Sequence, residues 1–146
     1  MDIKEIDIFK ISAIKYQSFV TDDETTLAIK YSGIYGEGSF GNLDGIFMHF
    51  ILAGHYFALN PMVIIIDLTE LEYKWGNTIS RIINFFGEME YDGEKIDKKV
   101  LVITSKKNHE SLNNLSTHLA FGQRYFFNSE EEAMQFAKKE IERYVE

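Results

Sequence analysis

Cysteine is absent from this chain of 146 residues, and proline occurs once, at position 61. The lack of cysteine excludes disulfides, cysteine zinc sites and thiol nucleophiles, and it fits a reducing compartment. With 45% hydrophobic residues the chain can bury a sizeable core, but it offers no second core. We therefore expect one domain spanning residues 1–146.

Basic residues are also scarce: the chain has 15 Lys and Arg compared with 23 Asp and Glu, and its formal net charge is −8. Binding a phosphate backbone needs a basic surface, so this balance argues against nucleic acid as a partner. Residues 1–73 hold 4 basic and 11 acidic residues. This acidic half is either a solvated face or a surface that attracts a basic protein.

Long hydrophobic runs are missing as well. The longest apolar tract, residues 46–59, is too short to span a bilayer and is interrupted by His49, Gly54 and His55. The first seven residues mix charged and apolar side chains and do not form a signal peptide. We expect a cytoplasmic protein with no membrane partner.

The most informative stretch that is present is residues 62–68, MVIIIDL. An unbroken β-branched run predicts a strand buried on both faces, at the centre of a sheet with helices above and below. Residues 100–105 (VLVITS) predict its parallel neighbour, and the apolar spacing over residues 78–86 predicts the helix that joins them. These features define an α/β fold.

Alternating apolar residues predict a β-hairpin at the start of the chain, with strands at 6–19 and 26–31 around a turn at 21–25. The other expected elements are a helix to about Leu59 capped by Ser39 or Asn42, a loop at 88–99, a helical stretch with Leu112, Leu115 and Leu119, a short strand at 125–127, and a last helix capped by Asn128 or Ser129. The predicted order is ββαβαβαβα around a mixed central sheet.

The helix that ends near Leu59 is apolar around most of its circumference. Such a helix needs cover on more than one side. The cover is either the hairpin, which we favour, or a second copy of the chain in a homodimer.

Two sequence patterns that mark cofactor or metal sites in other proteins are incomplete in this chain. Residues 36–41 (GEGSFG) match the dinucleotide pattern G-x-G-x-x-G, but the preceding strand is half polar and Asp67 lies 26 residues beyond Gly41, where about 20 is usual. The four histidines have no metal-ligand spacing. We expect no cofactor and no metal.

Function is expected at the carboxyl end of the central strand, where α/β folds keep their sites. Asp67 there is expected to cap the following turn rather than to act as an acid or base. Trp75 is expected either to pack over the end of the sheet or to anchor a partner, because tryptophan and tyrosine dominate interface hot spots. The alternation of Glu70, Glu72 and Lys74 is also compatible with a continuation of the strand.

The order of elements and residues 64–73 (IIIDLTELEY) resemble the STAS domain of anti-sigma factor antagonists, in which a buried strand ending in Asp-Leu-Ser precedes a phosphorylatable serine at a helix start. The resemblance covers about residues 29–142. It places Gly76 where that serine stands and leaves Thr78 as the nearby hydroxyl.

The resemblance implies a non-catalytic, regulatory, protein-binding module that docks through the loop after the central strand and the second helix. The implied partner-binding residues are Tyr73, Lys74, Trp75, Asn77 and Thr78. Two alternatives remain open. One is an acidic immunity protein that neutralises a basic toxin domain by charge complementarity. The other is a fragment of a crotonase-like acyl-CoA enzyme, whose strand and helix order is similar.

Overall fold

The computed structural model describes residues 1–87, 90–91, 94–95, 97–119 and 125–145. Within those ranges the strands are β1 Lys15–Val20, β2 Thr26–Ile34, β3 Val63–Glu72, β4 Glu90–Tyr91, β5 Glu94–Lys95, β6 Lys99–Ile103 and β7 Phe126–Phe127. The α-helices are α1 Asn42–Leu59, α2 Ser80–Ile83, α3 His109–Leu119 and α4 Glu130–Val145. Apart from the small β4–β5 pair, this order is the predicted ββαβαβαβα.

Five strands form one mixed sheet in the order β1-β2-β3-β6-β7. The β1–β2 hairpin is antiparallel, and its turn at residues 21–25 is held by the Asp23 carboxylate, which accepts from the Thr25 amide at 3.1 Å. The pairs β2–β3, β3–β6 and β6–β7 are parallel. The predicted pairing of the two β-branched runs is confirmed, because Ile64 lies opposite Val100 and Ile66 opposite Val102.

The central strand β3 is buried on both faces, and its alternate side chains enter two different cores. Ile64, Ile66 and Leu68 join the larger core with residues from α1, α2 and α3. Val63 and Ile65 join a smaller core with Leu101, Ile103 and two alanines of α4, Ala133 and Ala137. The period-two alternation of a strand places successive residues on opposite faces, so one unbroken apolar run can serve both layers.

β3 extends beyond the predicted end at Leu68, because β2 continues to Ile34 and pairs with it as far as Glu72. The register shifts between Lys30 and Ser32, which places a bulge on β3 after Asp67. The Asp67 carboxylate accepts hydrogen bonds from the Thr69 amide at 2.9 Å and the Thr69 hydroxyl at 2.7 Å. Asp67 therefore has the capping role predicted for it, within a longer strand.

The first strand is shorter than predicted. Residues 8–10 form a 3₁₀ helix in which the Asp7 carboxylate accepts from the Phe9 amide, and β1 begins only at Lys15. The register pairs Lys15 with Ser32, and β2 ends at Ile34. Residues 6–12 therefore lie beyond the end of β2 and pair with none of the strands in the described ranges, although their apolar alternation resembles that of β1.

Other local predictions are also corrected. α1 has Gly41 at its N-cap and no side-chain cap, because Ser39 lies in a 3₁₀ helix at Gly38–Gly41 and Asn42 is already helical. The predicted helix at 78–86 is only α2, which ends at Ile83: the Asn84 amide donates to the Ser80 carbonyl and the Gly87 amide to the Asn84 carbonyl, so the chain continues as turns.

In the expected loop at 88–99, Glu90–Tyr91 pairs with Glu94–Lys95, while the Asp-Gly turn at 92–93 lies outside the described residues. At the start of α4 the prediction holds, because the Ser129 hydroxyl accepts from the Glu132 amide at 3.2 Å. None of the helices in the described ranges has the length and apolarity needed to cross a membrane.

Candidate functional site

The segment after β3, residues 73–78, lies against the glycine-rich turn that follows β2. β2 and β3 are parallel neighbours, so both chains leave the sheet at the same edge. Two backbone hydrogen bonds join them there: the Tyr35 amide donates to the Glu72 carbonyl at 2.9 Å, and the Gly38 amide donates to the Trp75 carbonyl at 3.2 Å. These two bonds hold residues 73–78 against the turn that follows β2.

Tyr73 is the buried anchor of this loop, with 4% of its surface exposed. Its hydroxyl donates to the Gly76 carbonyl at 2.7 Å, and its ring meets Tyr35 edge-on at 5.4 Å. Burial raises the pKa of Tyr73 to about 12, so the phenol stays neutral and keeps its donor at physiological pH. This bond closes the loop over three residues.

Trp75 is 61% exposed, and its indole lies over Gly38. Gly38 has φ +56°, and a Cβ there would collide with the indole ring. Beside it, the Lys74 ammonium pairs with the Glu37 carboxylate at 3.4 Å. Trp75 therefore does not plug the core, and one side of its ring is supported by backbone.

A shallow groove of about 330 Å³ runs between this loop and α3. Its loop side includes Tyr73, Lys74, Trp75 and Asn77, and its helix side includes Ser111, Asn114 and His118. Four of the five predicted partner-binding residues are thus brought together. Thr78 is not among the groove residues, because its hydroxyl donates to the Asn42 side chain at 2.7 Å on the α1 side.

Gly76, the position that the resemblance assigns to a phosphorylatable serine, has φ +137°. A residue with a side chain rarely adopts this conformation, so a serine would be strained in this loop. Tyr35 also lies 3.3 Å from where a Cβ would stand. The loop conformation requires glycine at this position.

Asn108 is a residue of the site that the sequence patterns did not single out. It is fully buried, and its side-chain amide donates to the carbonyls of Leu68 at 2.8 Å and Leu71 at 3.0 Å. Its carbonyl oxygen accepts from the Ser105 amide at 2.9 Å. The position of Asn108 just after β6 could have indicated that it lies near the site, because the carboxyl ends of neighbouring parallel strands meet at one edge of the sheet.

The amides of Gly36 and Gly38 in the glycine-rich turn are already hydrogen-bonded to other parts of the protein. The Gly36 amide donates to the Asp44 carboxylate at 2.9 Å, and a Cβ on Gly36 would lie 2.5 Å from the Phe40 carbonyl oxygen. Together with the bond from Gly38 to Trp75, this close packing leaves no open cradle for a pyrophosphate.

His55 and His109 bond to groups of the protein itself. One ring nitrogen of His55 bonds the Ile51 carbonyl at 2.7 Å and the other bonds the Ser18 hydroxyl at 2.9 Å, while His109 bonds the Thr104 hydroxyl. Within the part of the chain that the structure describes, no three His, Asp or Glu side chains are grouped as metal ligands.

Comparison with known proteins gives a relationship of fold. No protein-family model matches the sequence, and no curated protein matches it. A crystal structure of an anti-sigma factor antagonist from Mycobacterium paratuberculosis is similar over 85% of this chain and 95% of its own, with a TM-score of 0.57 and 11% identity. At this identity the likeness concerns the fold alone, and the STAS-like fold predicted from the order of elements is confirmed.

Proposed function

We propose that this chain is a non-catalytic regulatory module that binds another protein through the loop at residues 73–78 and the facing side of α3. The observation that carries the proposal is Trp75, which is 61% exposed on a loop fixed by hydrogen bonds on both sides. An immobilised, exposed aromatic side chain loses little conformational entropy on binding and is the typical anchor of an interface.

Two of the groups near Trp75 that could do chemistry are engaged in bonds within the protein. Lys74 pairs with Glu37, and the Tyr73 hydroxyl is bonded to Gly76. The structural neighbour is named for opposing an anti-sigma factor, which is another protein. These observations favour recognition over catalysis, and we propose a cytoplasmic protein as the partner.

The test is capture from a lysate of the source cells with the wild-type chain, Trp75→Ala and Phe19→Ala. Phe19 is 58% exposed on β1 and serves as a matched control away from the loop. We expect a partner that binds the wild type and Phe19→Ala equally, and a loss of about 2 kcal/mol of affinity for Trp75→Ala in a direct titration.

The urea midpoint of Trp75→Ala should stay close to that of the wild type, whereas removal of a buried aromatic costs roughly 3–5 kcal/mol of stability. Equal affinity of Trp75→Ala and wild type for the captured protein would contradict the site. If this chain chemically converts a molecule that it captures, the non-catalytic assignment is contradicted. If the captured partner is a basic toxin domain, the immunity-protein alternative is favoured.

A further inference from the structure

The outer face of α1 carries an apolar stripe that the domain itself does not cover. The stripe consists of Leu43, Ile46, Phe50 and Phe57, which are 55%, 39%, 41% and 59% exposed. The intervals of three, four and seven residues place all four on one side of the helix, as in the seam of a coiled coil. The hairpin covers a different side, where Tyr16 packs on Phe47 and Ser18 bonds His55.

The stripe also lies on a helix with almost no charge, although the chain has a net charge of −8. Asp44 is the one Asp, Glu, Lys or Arg in α1, which also holds His49 and His55, and it is half-buried. Its carboxylate accepts from the Ser12 hydroxyl at 2.6 Å and the Gly36 amide at 2.9 Å. A second copy of the same acidic chain can therefore approach this face without like charges meeting at the contact.

The exposed area is suited to a dimer. Phe9, which packs edge-on against Phe50 at 5.5 Å, is 55% exposed, and Phe40, just before the helix, is 87% exposed. With the stripe, these side chains expose roughly 600 Å² of apolar surface, close to the roughly 800 Å² that each partner buries in a standard interface. A patch of this size is at the upper end of what monomers expose, and such patches often mark an interaction site.

We propose that two copies of this chain associate through the α1 stripe as an antiparallel helix pair about a two-fold axis that passes near Phe50. In this arrangement Leu43 of one copy lies opposite Phe57 of the other, and Ile46 lies opposite Gly54, where a Cβ would meet only open space. A parallel pair would instead set Gly54 against Gly54, with Phe50 and Phe57 pairs on either side, and leave a gap. The antiparallel pair also places the helix dipoles in opposite directions.

The test measures mass by light scattering and sedimentation at up to roughly 100 μM, where the wild type is expected to be a dimer with Kd of ~10 μM or tighter. Phe57→Glu should weaken the dimer at least 100-fold. Phe19→Glu introduces the same charge at a side chain of equal exposure and should leave Kd within about threefold. Circular dichroism checks that each variant is folded, and Leu43→Glu replaces Phe57→Glu if that variant is not.

A rescue variant tests the antiparallel geometry. Leu43→Lys and Phe57→Glu combined in one chain should restore the dimer to within about tenfold of wild type, because each lysine then meets a glutamate of the other copy. Positions 43 and 57 are about 21 Å apart along their own helix, so the two new charges cannot pair within one chain.

A wild type that stays monomeric at the highest concentration, a dimer that survives Phe57→Glu, or equal dissociation by Phe19→Glu would overturn the proposal. Failure of the rescue would overturn the antiparallel arrangement. The α1 stripe shares no residue with the loop at 73–78, and Phe19 serves both tests only as a control position, so the two proposals fail separately.

Discussion

At the scale of single residues, the candidate site depends on side chains that bond to distant backbone. Asn108 bonds the carbonyls of Leu68 and Leu71, which lie 40 and 37 residues earlier in the chain. These carbonyls flank the end of β3 from which the loop at 73–78 departs. The position of the loop therefore depends on one buried amide as well as on β-pairing.

Asn108→Ala should lower the free energy of unfolding by about 3 kcal/mol, because two buried carbonyls and one buried amide lose their partner. Urea denaturation measures this loss. Asn114→Ala, an exposed position on α3, is the matched control and should change stability by less than about 0.5 kcal/mol. A loss below about 1 kcal/mol for Asn108→Ala would mean that water replaces the missing bonds.

At the scale of elements, α4 is joined to the sheet by an ion pair as well as by its apolar face. The Lys99 ammonium of β6 and the Glu140 carboxylate of α4 lie 2.8 Å apart, with only 16% and 13% of their side chains exposed. Burial alone raises the pKa of the Glu140 carboxyl, but hydrogen bonds from Lys99 and Arg143 outweigh it and the pKa lies below its ordinary value. The pair therefore favours the docked helix at neutral pH.

Glu140→Gln should cost about 2 kcal/mol of stability at pH 7, since it leaves Lys99 partly buried without its counter-charge. The folded-state pKa of Glu140 is depressed, so its contribution is complete above the unfolded pKa of about 4.5 and is lost as pH falls through the folded value. The stabilities of variant and wild type should converge below pH 4.5.

Unfolding measured from pH 7 to pH 3 checks this convergence. Glu142→Gln, an exposed neighbour on the same helix, should follow the wild type throughout. A difference between Glu140→Gln and wild type that is constant with pH would show that packing, not charge, is lost.

At the scale of the whole molecule, the sequence predicted the layers better than the connections. Residues 64–66 are apolar on both faces, and only a strand between two layers satisfies them. Residues 6–12 alternate like a strand, but whether a partner strand exists depends on where β2 ends. The sequence left two outcomes open for Trp75, packing over the end of the sheet or exposure to a partner. The outcome depends on Gly38, which approaches the indole from another loop.

The residues that shape the site share this dependence on remote contacts. The position of Asn108 after β6 indicates the sheet edge at which it lies, but its bonds to Leu68 and Leu71 are set by the tertiary fold. Asp67 was predictable because its bonds to Thr69 span two residues. Local hydrogen bonding can be inferred from sequence neighbours, whereas bonding between loops cannot.

The strand order β1-β2-β3-β6-β7 follows the order of the chain. Each strand of this sheet therefore pairs with the sheet strand that comes before it in the sequence. Growth from the hairpin outwards closes one crossover at each step, of 28, 26 and 22 residues (35–62, 73–98 and 104–125), and no step has to join strands that are further apart in the chain. The smaller core, by contrast, needs Ala133 and Ala137 of α4 and is completed last. Pulse-labelled hydrogen exchange should therefore find β2 and β3 amides protected before those of β7 and α4, and the reverse order would exclude stepwise growth. A nascent chain on the ribosome would then hold Ile65 and Leu101 uncovered until its last helix emerges.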